Sequence, residues 1–246
     1  FFGFLAMQMR PRLAKPEDGC PTAGIAQDGS VILNAEFCDP LTDKEMAGLV
    51  AHEVMHPGLN FWLRKKNRNH KLFNIAHDLS FNPIVMEMAK GEITLPKGAL
   101  LDEKFEGMGA EEIYQYLLKG DAGTPGITKC KTHNGPEITI DVNQGEDGGS
   151  DTDQYEDCRG DLADSDKGQK AAKGDASAQK ELEGEWKLNL AQAAQEHEKR
   201  KGTLPAGLKR YLDEILHPKL EWDEVLARWV GENGTPDDYA YTRPSR

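Results

Sequence analysis

The pattern of apolar and polar positions predicts an amphipathic helix over residues 42–56. Its apolar side chains recur at helical intervals, at Met46, Leu49, Val50 and Val54. This spacing places them on one face of an α-helix. Thr42 and Glu45 stand at the start of the run with the spacing of a capping box. Pro57 follows directly and disfavours helical geometry in the residue before it, so we expect the helix to stop or kink there.

Other stretches with similar periodicity predict further helices. They are residues 71–81, 83–91, 111–118, 181–201, 207–216 and 222–230. The pair Asn82-Pro83 separates the first two of these, because asparagine suits an N-cap and proline suits the first turn of a new helix. The basic run 64–71 is predicted to be a solvated turn, with His70 on the surface.

Two short strands are predicted before the first helix, at residues 22–27 and 30–34. The Asp28-Gly29 pair between them favours a two-residue type I′ turn and therefore an antiparallel hairpin. The expected fold class is α+β, mostly helical with a small N-terminal antiparallel sheet. A strand beside the helix can pair edge to edge with an extended peptide.

A polar segment divides the chain. Residues 141–166 hold ten Asp or Glu and one Arg, together with many Gly and Ser. Such a segment buries too little apolar surface to offset the entropy of ordering it. We therefore predict a core at 1–119, a mobile acidic insert at 120–180 and a C-terminal helical part of the same domain at 181–246, with one short strand at 137–141.

Length and charge limit the classes of partner. With 246 residues the chain can bury a sizeable core. A formal net charge of -12 argues against nucleic acid as the main partner, because a phosphate backbone attracts a basic surface. The apolar stretch 1–7 is too short to cross a membrane, so we expect no membrane partner. The chain does not begin with Met, and we expect it to be part of a longer protein.

The cysteines favour a reducing compartment. The chain has four of them and no CxxC pair, so we expect reduced thiols and a cytoplasmic location. A Cys20–Cys38 bridge beside the predicted hairpin is the less favoured alternative.

The predicted helix ends with the sequence His52-Glu53-Val54-Met55-His56, which has the HExxH spacing. Histidines four residues apart lie one turn apart on one face and can hold one Zn²⁺ between them. The intervening Glu53 can then act as general base on a zinc-bound water. The alternative is an exposed helix that carries two ordinary histidines.

A catalytic zinc site needs a third protein ligand, and His77 and Asp78 are the nearest candidates. At 100° per residue, His77 falls about 150° from the apolar face of the second helix, toward solvent. Asp78 falls about 110° from that face, on the flank that meets a neighbouring helix. We therefore predict Asp78 as the ligand, held by the amide of Asn74 or Asn82.

Several stretches around this motif match one family in kind. They are residues 22–24, 33–34, 49–56, 73–82, 95–101, 111–114, 202–205, 220–222, 238–239 and 243–246. Over about residues 10–118 and 200–246, the chain resembles the metallopeptidase domain found in front of von Willebrand factor A-like domains in bacterial and phage proteins. Pro57 departs from the pattern, which has an apolar helical residue there.

This resemblance implies a zincin-like fold and a zinc site formed by His52, His56 and Asp78, with Glu53 catalytic. It also implies a peptide or protein substrate and a MoxR-type AAA ATPase as a partner. A von Willebrand A-like domain would follow in the full chain, beginning about where this sequence stops.

Three functions remain open from the sequence. The first is a zinc metalloendopeptidase, a hydrolase that cleaves peptide bonds with a Glu-activated, zinc-bound water. The second is a non-catalytic, zinc-stabilised binding module that acts with an ATPase partner. The third is a zinc hydrolase that acts on another bond. The oxyanion of a hydrolase needs a further donor, and the candidates are Tyr114, Tyr116, His70 and His77.

Overall fold

In a computed structural model, residues 1–15, 18–144 and 163–216 are described. The helices are α1 Phe2–Ala6, α2 Ala35–Cys38, α3 Asp43–Gly58, α4 Phe61–Lys65, α5 His70–Ala89, α6 Ala110–Lys119, α7 Asp166–Ala172, α8 Ala176–Lys201 and α9 Ala206–Leu216. The strands are β1 Arg10–Leu13, β2 Ala23–Ile25, β3 Ser30–Leu33, β4 Gly120–Asp121, β5 Thr124–Pro125, β6 Ile127–Cys130 and β7 Ile138–Asp141. This mostly helical α+β fold confirms the expected class. No helix in these ranges is long and apolar enough to cross a membrane.

The predicted hairpin is confirmed, but its turn differs from the expectation. Strands β2 and β3 pair antiparallel, and four residues, 26–29, lie between them. Only Gly29 has a positive φ, of 82°, whereas a type I′ turn needs two such residues. The Asp28 side chain accepts a hydrogen bond from the Ser30 amide at 3.0 Å and holds this longer turn. Strand β1 joins β3 in parallel, which leaves β2 at an edge of the order β1-β3-β2.

Helix α3 begins as the sequence predicts. Thr42 is its N-cap, and Thr42 and Glu45 form both hydrogen bonds of the capping box. The helix continues past His56 to Gly58, with Pro57 inside its last turn. The Leu59 amide still bonds to the Met55 carbonyl at 2.8 Å, so the turn that carries His56 stays helical.

The predicted break at Asn82-Pro83 is wrong, because α5 is one continuous helix from His70 to Ala89. The Asn82 side chain is fully buried and donates a hydrogen bond to the Leu100 carbonyl at 2.7 Å. The Asn82 amide is therefore already hydrogen-bonded to another segment of the chain, and it does not cap a new helix. Buried side chains on both sides of Pro83 keep the helix packed through the position where proline removes a backbone donor.

Helix α5 crosses between two apolar clusters. Its first half packs with α6 and the β6–β7 hairpin in one cluster that contains Leu72, Phe73, Ile113, Leu117 and Ile138. Its second half packs with α3, α8 and α9 in another cluster that contains Val54, Phe81, Val85, Leu190 and Leu208. The helix consequently has almost no solvent-facing side in its middle turns, where residues 75–82 are all buried.

Ordered elements occupy both ends of the predicted acidic insert. We expected a single short strand there, at 137–141, and the structure has β4 to β7 before residue 145 and α7 after residue 163. Helix α8 begins at Ala176, five residues before the predicted C-terminal part. Residues 145–162 and the predicted helix 222–230 lie outside the described residues. The division of the chain into core, insert and C-terminal part stays a prediction.

The loop between α4 and α5 is only partly the solvated turn that we expected. Arg64 lies at the end of α4 with a 13% exposed side chain. Its guanidinium forms two hydrogen bonds with the Glu111 carboxylate, at 2.9 and 2.5 Å. It also lies over the Tyr211 ring, 5.0 Å from the centroid, so it ties α4 to α6 and α9.

Asp28 anchors α7 to the hairpin. Its Oδ2 atom accepts hydrogen bonds from the Ser165 amide at 3.0 Å and from the Ser165 hydroxyl at 2.5 Å. Burial raises the pKa of Asp28, but the hydrogen bonds from Ser165 and Ser30 outweigh it and lower the pKa below its usual value. Arg10 pairs with the same carboxylate at 3.0 Å. The charged form of Asp28 therefore fixes the start of α7 beside the sheet.

The cysteines are only partly as expected. Cys38 and Cys130 are free thiols, so the Cys20–Cys38 bridge does not form. Cys20 is disulfide-bonded, which makes the expectation of reduced thiols wrong for this residue. Cys158 lies outside the described residues.

We predict that Gly48→Ala destabilises the fold, because a Cβ atom on Gly48 of α3 would lie 1.9 Å from the Thr94 carbonyl oxygen. The steric clash of the added methyl group with this carbonyl should lower the free energy of unfolding by about 1–3 kcal/mol. Gly184 is the matched control, since it lies inside α8 with no atom within 4 Å of such a Cβ. Gly184→Ala should raise the free energy of unfolding by about 0.5–1 kcal/mol through helix propensity alone. Urea unfolding compares the two, and a stabilising Gly48→Ala would contradict the close approach.

Candidate metal centre

Three side chains from α3 and α5 converge on one point. His52 and His56 lie one turn apart on α3, and Asp78 faces them from α5. One ligand atom from each lies within 4.8 Å of the others. The His52 and His56 Nε2 atoms are 3.3 Å apart, and Asp78 Oδ1 lies 3.4 Å from His56 Nε2 and 3.8 Å from His52 Nε2. The structure thus brings together the three predicted ligands.

These separations fit a small divalent cation. Ligand atoms about 2.0–2.2 Å from a tetrahedral zinc lie about 3.3–3.6 Å from one another. Two imidazole nitrogens and one carboxylate oxygen are also a donor set that zinc accepts. Among the described residues this cluster contains three such side chains, which leaves a tetrahedral ion one further position.

A chain of hydrogen bonds fixes the orientation of His52. The Asn82 Nδ2 atom donates to the Leu100 carbonyl, so the Asn82 Oδ1 atom faces His52 Nδ1 at 2.8 Å. An amide oxygen only accepts, and His52 Nδ1 must therefore carry the proton. The Nε2 lone pair of a neutral His52 then points into the cluster. We expected the Asn82 amide to hold Asp78, and it holds His52 instead.

Burial keeps both histidines neutral. Burial lowers the pKa of His52 to about 4, although the hydrogen bond to Asn82 opposes the shift. Burial, followed by the positive charge that His52 and His70 can carry, lowers the pKa of His56 well below its usual value. Neutral imidazole is the form that binds a metal, so no proton needs to leave either ring near pH 7.

His77 does not point toward solvent as its place on the helix predicted. Its side chain is fully buried, and neither ring nitrogen has a hydrogen-bond partner among the described residues. The ring stacks on His56 with centroids 5.3 Å apart, and it contacts Phe61 and Phe81 at 5.2 and 5.0 Å. The prediction failed because α5 is enclosed on all sides in its middle turns. His77 packs against a candidate ligand and lies outside the three-residue cluster.

Glu53 lies beside the cluster on the floor of a large cleft. It is 6% exposed, and it lines the cleft together with His52, His56 and Asp78. The cleft has a volume of about 1400 Å³. Its walls include residues of strand β2, of α4, of α7 and of the segment 95–100. Glu53 can therefore meet a molecule that enters the cleft next to the cluster.

The four candidate hydrogen-bond donors for the oxyanion differ in whether they line the cleft. The Tyr114 hydroxyl accepts a hydrogen bond from the Asn69 amide at 3.2 Å, and the Tyr116 hydroxyl donates to Asp121 at 2.9 Å. Neither tyrosine lines the cleft, and His77 is enclosed by aromatic rings. Of the four, His70 lines the cleft. Sequence reasoning did not place residues 95–100 beside the cluster, because the position of this wall depends on contacts with residues 131–133.

We predict that Asp78→Ala lowers the metal content of the purified protein, because it removes one of three converging donors. His77→Phe should keep the metal, since a phenyl ring preserves the packing against His56. Metal analysis after dialysis against a weak chelator measures both variants. If His77→Phe loses the metal and Asp78→Ala keeps it, the assignment of Asp78 is wrong.

We also predict that the metal-free protein loses stability as the pH falls from about 6.5 to about 4. An unfolded histidine has a pKa of about 6.5 and takes up a proton in this range. Folded His52, with its pKa lowered to about 4, does not, so protons favour the unfolded chain. His52→Gln should reduce the loss by up to about 3 kcal/mol. Urea unfolding at several pH values tests this, and parallel curves for the two proteins would exclude it.

Comparison with known proteins agrees with this geometry. A family model described as "Putative metallopeptidase domain" matches residues 1–246. Neither a curated protein nor a solved structure matches the chain. The match spans the HExxH motif and all three residues of the cluster. The chain therefore belongs to this metallopeptidase domain family.

Proposed function

We propose that the chain is a zinc-dependent endopeptidase in which Glu53 is the general base. The observation that carries this proposal is the placement of Glu53 and the His52–His56–Asp78 cluster together on the floor of one cleft. The cleft has a volume of about 1400 Å³, and the edge strand β2 lines it. Membership of a metallopeptidase family supports the same class of reaction.

His52, His56 and Asp78 would hold the zinc. A zinc ion held by these residues would supply Lewis-acid chemistry, which would lower the pKa of a bound water toward about 7 and polarise the carbonyl that is attacked. Asn82 keeps the Nε2 lone pair of His52 directed into the cluster, through its hydrogen bond to Nδ1. Support of this kind around the ligands commonly raises metal affinity by about 10- to 100-fold.

Glu53 would move the protons. It precedes Val54 on α3 and lies about 100° round the helix from His52, so its carboxylate is beside the ligands and is not one of them. Glu53 accepts a proton from the attacking water and then delivers it to the amine that leaves. Its burial in the cleft floor limits access of bulk water to this carboxylate.

Strand β2 would bind the substrate backbone. Its one described strand partner is β3, so its other edge has no strand partner among the described residues, and residues 23–25 line the cleft. A peptide can add to such an edge as an extended strand, which places its carbonyl groups at regular intervals along the cleft. His70 is the candidate donor for the oxyanion, because it lines the same cleft.

The rival function is a non-catalytic zinc module that acts with an ATPase. A structural zinc site uses four protein ligands, whereas the described cluster contains three beside an open cleft. This favours the enzyme. A MoxR-type ATPase partner and a following von Willebrand A-like domain stay proposals from the resemblance. A cytoplasmic location is a further proposal, which the free thiols of Cys38 and Cys130 support and the bonded Cys20 does not.

We predict that Glu53→Gln keeps one zinc per chain and a near-native fold but loses peptide hydrolysis. Glutamine preserves size and hydrogen bonding but cannot accept the proton. The expected loss in kcat is a factor of about 10² or more, the usual scale of general-base catalysis. Mass spectrometry of a peptide library, incubated with zinc-loaded protein, measures the cleavage.

The control is His52→Ala, which should lose the metal and the activity together. Equal cleavage by Glu53→Gln and the unaltered protein would show that Glu53 is not the base. If the zinc-loaded protein cleaves no peptide although three side chains and a water hold the ion, a hydrolase of another bond becomes the better assignment. Four protein ligands on the ion would favour the structural module.

A further inference from the structure

The walls of the cleft carry a charge opposite to that of the chain. The whole chain has 42 acidic and 30 basic residues. The acidic residues among those that line the cleft are Glu53 and Asp78, which both belong to the reacting centre. The lining also includes four lysines, Lys65, Lys66, Lys97 and Lys173. Apart from the reacting centre, the described walls are therefore basic in an acidic protein.

We propose that the cleft selects acidic peptide segments, in which Asp or Glu side chains flank the bond that is cleaved. This inference rests on the proposed function and specifies its substrate class. None of the four lysines forms an ion pair with a carboxylate of the described residues. Their ammonium groups are thus available to a substrate as far as the described chain is concerned.

The lysines come from three separate parts of the chain, each of which is held in place. Lys97 lies in the wall formed by residues 95–100. Two backbone hydrogen bonds fix this loop, one from the Gly98 amide to the His133 carbonyl at 2.8 Å and one from the His133 amide to the Ala99 carbonyl at 2.7 Å. Lys173 caps α7, whose start is bound to the buried carboxylate of Asp28. Positive charge is therefore supplied by separate, anchored segments that line the cleft.

The backbone conformation of Lys66 is a second, independent observation that supports a bound molecule in the cleft. It follows α4 on the rim and adopts a φ of 49°, in the left-handed region that favours glycine. Its side chain is exposed, so burial does not explain a lysine at this position. Strained backbone tends to be retained where the surrounding site uses the residue. A lysine in such a conformation at the rim is consistent with a contact to a bound molecule.

A peptide fits this cleft better than a nucleic acid. The edge strand β2 can offer backbone hydrogen bonds to a polypeptide, and Phe37, Trp62 and Leu63 supply apolar surface within the cleft. A long polyanion would also meet the net charge of -12 on the chain. A short acidic peptide meets mainly the lysines near the reacting centre, because charges beyond about 10 Å are screened at 0.1 M salt.

The first test measures binding without cleavage. Zinc-loaded Glu53→Gln is titrated into fluorescent peptides of one scaffold that carry Glu, Gln or Lys at the same positions, and anisotropy is recorded. The Glu peptide should bind about tenfold tighter than the Gln peptide, the scale of several exposed ion pairs, and the Lys peptide should bind weakest. High salt should remove the difference.

Matched variants locate the charge that matters. In the same Glu53→Gln background, Lys66, Lys97 and Lys173 are changed together to Glu, and a control changes Lys119, Lys129 and Lys209 to Glu. Both sets alter the net charge equally, but the second set lies outside the cleft. The first should lower affinity for the Glu peptide about tenfold or more, and the control should leave it nearly unchanged.

A single variant separates binding from folding. Lys66→Gly removes the lysine and also relieves the left-handed backbone, so its unfolding midpoint should equal or exceed that of the parent. Its affinity for the Glu peptide should fall. An unchanged affinity in both Lys66→Gly and the triple cleft variant would overturn the proposal, as would tighter binding of a single-stranded oligonucleotide than of the Glu peptide.

The last measurement distinguishes this inference from the proposed function. Cleavage sites made by the unaltered, zinc-loaded chain in a proteome-derived peptide library should be enriched in Asp and Glu near the cleaved bond. Cleavage without this enrichment, together with equal binding of the Glu and Gln peptides, rejects the acidic preference and keeps the peptidase. Selective binding of the Glu peptide without any cleavage rejects the peptidase and keeps the acidic preference.

Discussion

The packing of α3 against α5 is the contact on which the candidate centre depends. It brings His52 and His56 from one helix within reach of Asp78 from the other. The same contact places Asn82 where it joins His52 to the Leu100 carbonyl. A rotation of either helix by one residue, about 100°, would separate these groups. The two apolar clusters on either side of α5 prevent such a rotation, because each fixes a different half of the helix.

Burial of polar groups gives this contact its chemical character. An imidazole that is removed from water resists protonation, and this effect lowers the pKa values of His52, His56 and His77. Two of these rings point a nitrogen toward a carboxylate, while the third fills space behind His56. Neutral imidazole rings can bind a cation, and the surrounding phenyl groups hold these imidazole rings in their orientation. The packing of the core and the electrostatics of the site are therefore parts of one arrangement.

The cleft that contains the candidate centre is built from several segments of the chain. Its walls come from the hairpin, from the end of α4, from residues 95–100 and from α7, so no single stretch of sequence contains it. Asp28 connects the hairpin to α7, and His133 holds the wall that carries Lys97. Neither anchor belongs to the His52–His56–Asp78 cluster, yet each holds a segment that carries a lysine of the cleft. The proposed charge selection and the proposed catalysis would therefore depend on different parts of the fold.

The sequence by itself determined the local features, namely the capping box at Thr42, the pairing of His52 with His56 one turn later, and the β2–β3 hairpin. Each depends on neighbours within a few residues, and the structure reproduces them. The continuity of α5 through Pro83, the burial of His77 and the bond from Asn82 to His52 required the tertiary structure. They are decided by packing between segments distant in sequence, which outweighs local propensity because it buries far more surface.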